Sequence, residues 1–279
     1  MSGPDIPATD IPGGGIRLAH KVAVVVGAGQ TPGDTIGNGR ATALLMAREG
    51  ATVLCVDRDE DSAAETAALI AEVGGTATTL RADITVEDDC RAIAATATDR
   101  YGRIDVLVNN VGIGTGDAGA TSLTSEAWDL IHDVNLKGPW MTAKHVLPVM
   151  RAQQSGAIVN VSSIAAVCSV GFLAYKTSKS ALNALTHSLA MSGAKHGIRV
   201  NAVMPGLMDT PMAIEGMANA IGMDRDELRR ARDSLVPLGQ KMGTAWDVAH
   251  AITFLASDDA GFITGAILPV DGGQHGRVG

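Results

Sequence analysis

Residues 22–40 read VAVVVGAGQTPGDTIGNGR. The stretch begins with an apolar run, continues into a loop rich in glycine, and ends where a segment with helical spacing begins. Glycines in such a loop permit a tight turn, a close approach of the backbone to a phosphate group, and close packing of helix on strand. The free N–H groups at the start of the following helix favour an anion. The stretch therefore predicts a strand–loop–helix unit with a phosphate-binding loop.

Further apolar runs, mostly β-branched, alternate with amphipathic segments along the rest of the chain. The runs are residues 52–56, 77–80, 104–109, 157–161, 198–203 and 266–270. The helical segments are residues 39–49, 61–73, 86–101, 125–150, 175–196 and 244–256, the fourth with a break expected near Gly138-Pro139. Nearly continuous hydrophobicity is typical of strands buried on both faces of a parallel sheet. The sequence predicts an α/β fold, a doubly wound (Rossmann), mostly parallel seven-stranded sheet with helices on both faces.

The predicted domain is single and spans residues 19–279, after a flexible N-terminal arm over residues 1–18. Residues 1–15 are rich in Gly, Pro and Asp and lack the basic and apolar regions of a signal peptide. Residues 207–236 are rich in Met and show no strand pattern. We expect this segment to leave the sheet and to form a lid over the substrate.

Composition excludes several classes of function. The formal net charge of -8 disfavours nucleic acid as a partner, because that binding depends on neutralisation of phosphates by Lys and Arg. No apolar stretch reaches the ~18 residues that a membrane span requires. The odd set of cysteines, Cys55, Cys90 and Cys168, indicates a reducing compartment, and no His pairs with Cys or carboxylates at metal-ligand spacing. We expect a cytoplasmic protein with no metal site.

The second predicted strand ends at Asp57. An acidic side chain at this place can accept hydrogen bonds from the ribose hydroxyls of a dinucleotide, and it repels a 2′-phosphate. NAD is therefore expected as cofactor rather than NADP. Arg58, the next residue, is the contrary signal, and a plain turn at the strand end is the alternative role of Asp57.

Tyr175 and Lys179 are separated by one helical turn and so share a face of the predicted helix. A free tyrosine has a pKa of ~10. A nearby ammonium group and a cationic nicotinamide ring both favour the phenolate, which brings the phenol closer to the pH at which it can exchange a proton. The pair alone is common, but here it follows a predicted strand that ends in Ser162-Ser163.

With these motifs in this order, the chain resembles the short-chain dehydrogenase/reductase family over about residues 20–273. The family loop Gly-x-x-x-Gly-x-Gly implies that Gly27, Gly37 and Gly39 are its glycines, with Asn38 between the last two. Gly27 and Gly37 lie farther apart than the family pattern has them, which implies an insertion within residues 29–35.

A rival alignment of the loop uses Gly27, Gly29 and Gly33. We prefer Gly37 and Gly39 because they directly precede the first predicted helix. The resemblance also implies further contacts to the cofactor from residues at the ends of the later strands. These are Asp83, Ile84, Asn110, Pro205, Gly206 and Thr210, together with Asp57, Arg58, Tyr175 and Lys179.

The resemblance implies the catalytic roles as well. Tyr175 is the acid/base, Lys179 lowers the pKa of Tyr175 and holds the nicotinamide ribose, and Asn135 positions a water molecule. Ser163 is expected to bind the substrate oxygen. Ser162 is the alternative, favoured by the commoner spacing to the tyrosine, and strand alternation allows only one of the two to face the site. The expected activity is interconversion of a secondary alcohol, or a diol, and a ketone by hydride transfer.

The apolar lid predicts a small to medium alcohol or carbonyl substrate with an apolar body, since methionines adapt to irregular apolar shapes. Packing within the lid is the alternative. The expected substrate contacts are Val170, Phe172, Met208 and Met212. The resemblance implies a homotetramer through residues 125–150, 175–196 and 266–273. Two other functions stay open: an NADPH-dependent 3-oxoacyl-thioester reductase of the same family, and a catalytically silent protein that senses dinucleotides.

Overall fold

The structure is a computed structural model, and it describes residues 16–168 and 171–276. Its main sheet has seven strands in the order β3-β2-β1-β4-β5-β6-β9, and every neighbouring pair is parallel. The strands are β1 (Val22–Val26), β2 (Thr52–Asp57), β3 (Thr76–Arg81), β4 (Val106–Asn109), β5 (Gly156–Val161), β6 (Ile198–Pro205) and β9 (Ile267–Val270). The predicted fold is confirmed.

Helices cover both faces of this sheet. They are α1 (Asn38–Arg48), α2 (Glu60–Glu72), α3 (Glu87–Tyr101), α4 (Ser125–His132), α5 (Gly138–Gln153), α6 (Ala174–Gly193), α7 (Pro211–Ile221), α8 (Arg225–Asp233) and α9 (Ala245–Ala256). One apolar core contains side chains of α1, α2 and α9, and the other contains side chains of α3, α5 and α6.

The central strand β1 explains why its sequence is apolar throughout. Successive side chains of a strand point to opposite faces of a sheet. Ala23 and Val25 pack in the core beneath α1 and α9, whereas Val24 and Val26 pack in the core beneath α3 and α5. Because both faces are covered, a polar residue at any of these positions would lose its contact with water.

The long helix predicted over residues 125–150 is divided into three pieces. A π-helical turn, Asp133–Lys137, separates α4 from α5. The irregularity thus begins before the break expected at Gly138-Pro139, and these two residues instead start α5. Proline is tolerated there because the first residues of a helix need no N–H donor. Gly138 lets α5 approach the segment after β3, since a Cβ at this position would lie 2.6 Å from Cδ1 of Ile84.

The lid segment, residues 207–236, differs in part from its prediction. It contains α7 and α8 as well as a two-residue strand, β7 (Met208–Asp209), which pairs with β8 (Gly243–Thr244). The expectation of no strand was therefore wrong, because two residues are too short to leave a pattern in the sequence. The segment has a small apolar core, in which Ile214, Ala218, Leu228 and Val236 pack with Met242 from the chain that follows it.

Ion pairs also brace the lid. Arg225 Nε lies 2.6 Å from Glu215 Oε2 and so connects α8 to α7. Arg229 Nε lies 3.3 Å from Asp209 Oδ1 and connects α8 to β7. The segment is a packed substructure that begins immediately after β6.

The N-terminal arm predicted over residues 1–18 requires a correction at its end. Leu18 is fully buried in the core beneath α1, and its N–H donates to the carbonyl of Glu49 at 2.9 Å. Arg17 forms an ion pair with Glu49 at 2.6 Å. These contacts place Arg17 and Leu18 in the folded domain, shortly before β1. Residues 1–15 lie outside the described part of the chain.

Candidate active site

The predicted site residues lie where the strand order reverses between β1 and β4. In an open parallel sheet, this edge is where ligands bind, because the connections on either side leave a crevice at the carboxyl ends of the strands. One group of predicted site residues surrounds the loop after β1, and the other group surrounds the start of α6.

The glycine loop packs on the end of β1. Gly27 has a φ of +82°, and its carbonyl accepts a hydrogen bond of 2.9 Å from the side-chain amide of Asn110. A Cβ at residue 39 would overlap that same carbonyl oxygen. Gly27, Gly39 and Asn110 therefore form one compact unit at the start of α1, and Gly37 is the residue immediately before this helix. Gly33 lies elsewhere, beside Pro211 of α7.

Gln30 connects the two ends of the inserted residues in the glycine loop, and nothing in the sequence indicated this contact. Gln30 Oε1 accepts a hydrogen bond of 2.9 Å from the N–H of Gly37. The N–H of Gln30 donates to Ser62 Oγ at 2.9 Å. A short-range amide–backbone bond across an insertion has no recognisable sequence pattern, so only the structure could reveal it.

Asp57 contacts the glycine loop directly. Its Oδ2 atom accepts a hydrogen bond of 2.9 Å from the N–H of Gly29. Arg58 is exposed, and its charge acts on Asp83 across an open pocket that both residues line. Burial raises the pKa of Asp83, but hydrogen bonds from Thr85 and the charges of Arg58 and Arg81 bring it below its ordinary value.

Arg40 is the cationic residue nearest the glycine loop in the sequence, and its side chain is bound to residues of α2. It is 2% exposed. Its Nε atom donates to Thr66 Oγ1 at 2.9 Å, and Nη2 lies 2.8 Å from Glu65 Oε2. The guanidinium group therefore fixes α2 to α1, and it would have to give up these partners in order to meet a phosphate.

Gly29 lets the loop pack tightly on the end of β2, since a Cβ there would lie 2.9 Å from Asp57 Oδ2. The fit to a dinucleotide is indicated by unpaired polar atoms: Thr35 Oγ1 and Asn38 Oδ1 are buried without a hydrogen-bond partner among the described residues. Buried polar atoms are nearly always paired in the functional state of a protein. A ligand with hydrogen-bonding groups at the start of α1 would satisfy them.

Ile84 lies close to this region, but its side chain is buried against Gly138. Only its backbone is therefore left to contact a cofactor. Pro205 ends β6 and Gly206 follows it, and the N–H of Gly206 donates to the carbonyl of Val270 at 3.0 Å. Thr210 is buried at the start of α7. Gln274, which the sequence analysis missed, accepts a hydrogen bond of 2.8 Å from the N–H of Leu207.

On α6, Lys179 is almost completely buried. Its Nζ atom donates to the carbonyl of Val161 at the end of β5, at 2.8 Å, and lies 5.8 Å from the centroid of the Tyr175 ring. Burial lowers the pKa of Lys179 to about 8. A Cβ at residue 112 would lie 2.9 Å from this Nζ atom, so Gly112 leaves room for the ammonium group.

The structure distinguishes the two serines that follow β5. Ser163 Oγ accepts from the N–H of Ala165 at 3.1 Å, and the hydroxyl group is near enough to Tyr175 to act on the pKa of the phenol. Ser162 is buried and donates to the carbonyl of Lys179 at 3.3 Å. Burial raises the pKa of Tyr175 above its ordinary value, and the Ser163 hydroxyl group offsets part of that rise.

Asn135 occupies the π-helical turn and is fully buried. Its Oδ1 atom accepts from the N–H of Ile113 at 2.8 Å, and its Nδ2 atom donates to the carbonyl of Ile113 at 2.9 Å and to Ser178 Oγ at 3.1 Å. The side chain thus ties the segment after β4 to α6. π-Helical turns are frequent at functional sites.

The predicted substrate residues are placed in different surroundings. Met208 is 4% exposed and packs in the core against Gly243, so its side chain offers little surface to a substrate. Met212 and Phe172 are 52% and 43% exposed. Val170 lies outside the described residues. Most of the other apolar residues of the lid pack against its own core.

Within residues 16–168 and 171–276, no helix is long and apolar enough to cross a membrane. The same part of the chain contains no group of three or more His, Cys, Asp or Glu residues that could hold a metal ion.

Comparison with known proteins identifies the family. The family described as enoyl-(acyl carrier protein) reductase matches residues 34–275. A short-chain reductase protein, NovJ, of Streptomyces niveus is 38% identical over 255 residues, which are 91% of this chain and 94% of the relative. The cis-4-hydroxycyclohexanecarboxylate dehydrogenase of Sinomonas cyclohexanicum is 40% identical over 260 residues, 93% of this chain and 98% of that enzyme.

Among solved structures, an NAD+-bound xylitol dehydrogenase superimposes with a TM-score of 0.84 at 30% identity and covers 92% of this chain and 99% of its own. The chain belongs to the short-chain dehydrogenase/reductase family. It is an oxidoreductase that acts on CH–OH groups.

Proposed function

We propose that this chain is an NAD-dependent oxidoreductase that interconverts a secondary alcohol, or a diol, and a ketone, with Tyr175 as the acid/base. The observation that carries this proposal is the cluster at the end of β5. There, the Ser163 hydroxyl group is near enough to the Tyr175 phenol to lower its pKa, and the Tyr175 ring centroid lies 5.8 Å from Nζ of the buried Lys179.

In the oxidation direction, the Tyr175 phenolate takes the proton of the substrate hydroxyl group. Ser163 donates a hydrogen bond to the substrate oxygen and stabilises the charge that develops there. The nicotinamide, when bound, supplies the acceptor of the hydride. In the reduction direction, the Tyr175 phenol gives its proton to the same oxygen.

Lys179 has an electrostatic role in this scheme. A positive charge close to the phenol favours the phenolate and so lowers the pKa of Tyr175. Burial acts in the opposite direction on both groups, since it raises the pKa of Tyr175 and lowers that of Lys179 to about 8. Lys179 is therefore charged below about pH 8, the range in which it can assist the tyrosine.

Asn135 is proposed to position the water molecule that passes the proton onward. Its side chain is already bound to Ile113 and Ser178. We infer that the water is held by the main chain of the π-helical turn and that the Asn135 amide keeps this turn in place.

The contacts of Asp57 and Arg40 support NAD rather than NADP. Asp57 lies against the glycine loop, where its carboxylate would repel a 2′-phosphate. Arg40 is paired with α2. The residues proposed to hold the cofactor are Gly27, Gly37, Asn38, Gly39, Asp57, Arg58, Asp83, Ile84, Asn110, Tyr175, Lys179, Pro205, Gly206 and Thr210.

A second candidate function is an NADPH-dependent 3-oxoacyl-thioester reductase. The matched family description, which names a reductase of acyl carrier protein substrates, favours it. The position of Asp57 is the observation against it. A clear preference for NADPH and turnover of an acyl thioester would replace the first proposal.

The substrate is proposed to be a small to medium alcohol or ketone with an apolar body. Met212, at the start of α7, and Phe172, just before α6, offer exposed apolar surface. An enzyme that turned over only polyhydroxy sugars would contradict this proposal.

We also propose a cytoplasmic homotetramer. Trp128, Leu130 and Trp140, on α4 and α5, are 37%, 49% and 43% exposed, and the burial of such side chains favours association. Cys55, Cys90 and Cys168 are free, as expected in a reducing compartment. A monomer in multi-angle light scattering would refute the assembly.

The decisive experiment is NADH formation from NAD with a panel of secondary alcohols, diols, sterols and sugars. Tyr175→Phe is compared with Tyr101→Phe, a matched control because the chain has only two tyrosines and Tyr101 Oη is bonded to Thr78 Oγ1, at 2.6 Å. We expect turnover that disappears in Tyr175→Phe alone. Turnover that survives in Tyr175→Phe would exclude Tyr175 as the acid/base, and NADH binding without turnover on any substrate would favour the sensor function.

A further inference from the structure

The start of α6 receives its hydrogen bonds from a distant carboxylate. Asp117, in the connection between β4 and α4, has both oxygens directed at backbone N–H groups of this region. Oδ1 accepts from the N–H groups of Leu173 and Ala174, each at 3.1 Å, and Oδ2 accepts from the N–H of Tyr175 at 2.7 Å. Tyr175 is thus held by its own main chain to a residue 58 positions earlier.

This arrangement compensates for a missing local cap. The first N–H groups of a helix have no partner within the helix, and they are usually satisfied by a Ser, Thr, Asp or Asn at the preceding position. Leu173 occupies that position in α6 and makes no side-chain cap hydrogen bond. Asp117 takes over this function from outside the helix, and its negative charge also complements the positive end of the helix dipole.

The loop that carries Asp117 is fixed at several points to the other side chains of the cluster. The backbone of Ile113 both donates to and accepts from Asn135. Gly112 faces Lys179, and a Cβ at Gly114 would lie 3.6 Å from Cδ2 of Tyr175. Residues 112–117, which we call the tyrosine loop, therefore pass beside the Lys179 ammonium group and the Tyr175 ring and reach the main chain of Tyr175 at Asp117.

We propose that Asp117 is a positioning residue for Tyr175, and this proposal rests on the proposed function of Tyr175 as acid/base. Asp117 acts through the helix and not on the substrate. Because the tyrosine loop is held in place by its other contacts, the hydrogen bonds that Asp117 accepts fix the main chain of Tyr175. The position of the phenol relative to Ser163 and Lys179 follows from this. No pattern in the sequence marks Asp117, because its partners are distant in the chain.

The test compares Asp117→Ala and Asp117→Asn with a matched loss of a helix cap, Asp247→Ala. Asp247 Oδ2 accepts from the N–H and Oγ1 of Thr244 at the start of α9, a helix that carries no proposed site residue. Asparagine keeps one acceptor oxygen where the carboxylate uses two. We expect kcat to fall about 10- to 100-fold in Asp117→Ala, as misplaced reacting groups do, with partial recovery in Asp117→Asn and no decrease in Asp247→Ala.

A second readout follows Tyr175 without turnover. In a Tyr101→Phe background, Tyr175 is the only tyrosine, and ring-labelled tyrosine gives a single NMR signal for the phenol. We expect Asp117→Ala to shift and broaden this signal and to move the pH profile of kcat, while the Kd for NADH stays near that of the parent. Parent values of kcat and of the Tyr175 signal in Asp117→Ala, with a thermal stability lowered as in Asp247→Ala, would overturn the proposal.

If Asp117→Ala does not fold, Asp117→Asn decides by the same measurements: a reduced kcat with a shifted signal supports the proposal, and parent values of both contradict it. The failure of the proposed function is visible separately, as turnover that survives in Tyr175→Phe. The NMR signal of Tyr175 would still report in that case whether Asp117 sets its position.

Discussion

The two sides of the site differ in how completely their polar groups are paired. Around the tyrosine loop, the polar groups of the buried Asn135 and Lys179 and of the partly buried Asp117 are all bound to neighbouring backbone or side chains. Around the phosphate loop, residues 27–39, Thr35 Oγ1 and Asn38 Oδ1 are buried without a partner among the described residues. The polar groups on the side proposed for proton transfer are thus paired within the protein, whereas the side proposed for phosphate binding retains polar atoms that a ligand can satisfy.

This difference has a physical reason. A general acid/base must be held in its geometry before substrate binds, since misplacement reduces the rate. A phosphate-binding loop needs free N–H groups and free polar atoms, because a group already paired within the protein has little to gain from an anion. Substitutions on the tyrosine side should therefore reduce kcat, and those on the phosphate side should weaken cofactor binding.

The largest effect is expected from Lys179→Met, which removes the charge beside Tyr175. General acid–base assistance contributes about 10²- to 10⁴-fold, and we expect kcat to fall within that range. Steady-state kinetics across pH 6–10 measure it. Lys176→Met, on the same helix with its ammonium group bound to the carbonyl of Cys168, is the matched control and should retain kcat. Equal losses in the two variants would remove the special role of Lys179.

Asp57→Asn tests the phosphate side. Loss of a charge-assisted contact to the ribose costs about 1.5–3 kcal/mol, so we expect the KM for NAD to rise roughly 10- to 100-fold with kcat little changed. NADP should become a better cofactor, since the carboxylate no longer repels its phosphate. The exposed neighbour Asp61→Asn serves as control. A fall in kcat at an unchanged KM for NAD would contradict the expectation that substitutions at the phosphate loop affect cofactor binding and those at the tyrosine loop affect kcat.

Much of the fold and of the candidate site could be predicted from the sequence. The apolar runs locate every strand of the main sheet, most plainly for the central strand β1, which is apolar and buried at each position. Motif order identified Gly27, Gly37 and Gly39 at the start of α1, as well as the Tyr175–Lys179 pair. Strand alternation predicts that only one of Ser162 and Ser163 faces the tyrosine, and Ser163 is the one near enough to act on the pKa of Tyr175.

What the sequence could not predict depends on contacts between distant residues. Asp117 and Gln30 are single polar residues in loops, and nothing local marks their partners. Met208 resembles the other methionines of the lid, but its pairing in β7 turns it into the core against Gly243. Residues of the same type and spacing can therefore lie in a core or on a surface, and only packing separates the two.

Gly39→Ala is expected to have a moderate effect confined to the phosphate side. The added Cβ would overlap the carbonyl of Gly27, and such overpacking costs about 1–3 kcal/mol in the free energy of unfolding. NADH binding should weaken at the same time, as measured by fluorescence titration. Gly216→Ala is the control, since a Cβ there meets no atom within 4 Å. Full stability and full NADH affinity in Gly39→Ala would contradict the tight packing of the loop.

The smallest effect concerns stability as a function of pH. Lys179 has a pKa lowered to about 8 when folded, against an ordinary value of 10.5. Between these values the unfolded chain binds more protons than the folded one, so the contribution of Lys179 to the free energy of unfolding increases as pH rises through this window. Urea unfolding of the cofactor-free protein at pH 7.5–10 measures it. Lys179→Met should remove the increase, and an unchanged profile would contradict the lowered pKa.

The most direct test of the central claim is a titration of the Tyr175 phenol by NMR, in the Tyr101→Phe background, with and without NAD. Burial keeps the pKa of Tyr175 above its ordinary value in the cofactor-free chain. We predict that NAD binding lowers it toward neutral pH and that Lys179→Met prevents most of this decrease. A Tyr175 pKa that stays above 10.0 with NAD bound, in an enzyme that oxidises alcohols at neutral pH, would show that another group accepts the proton.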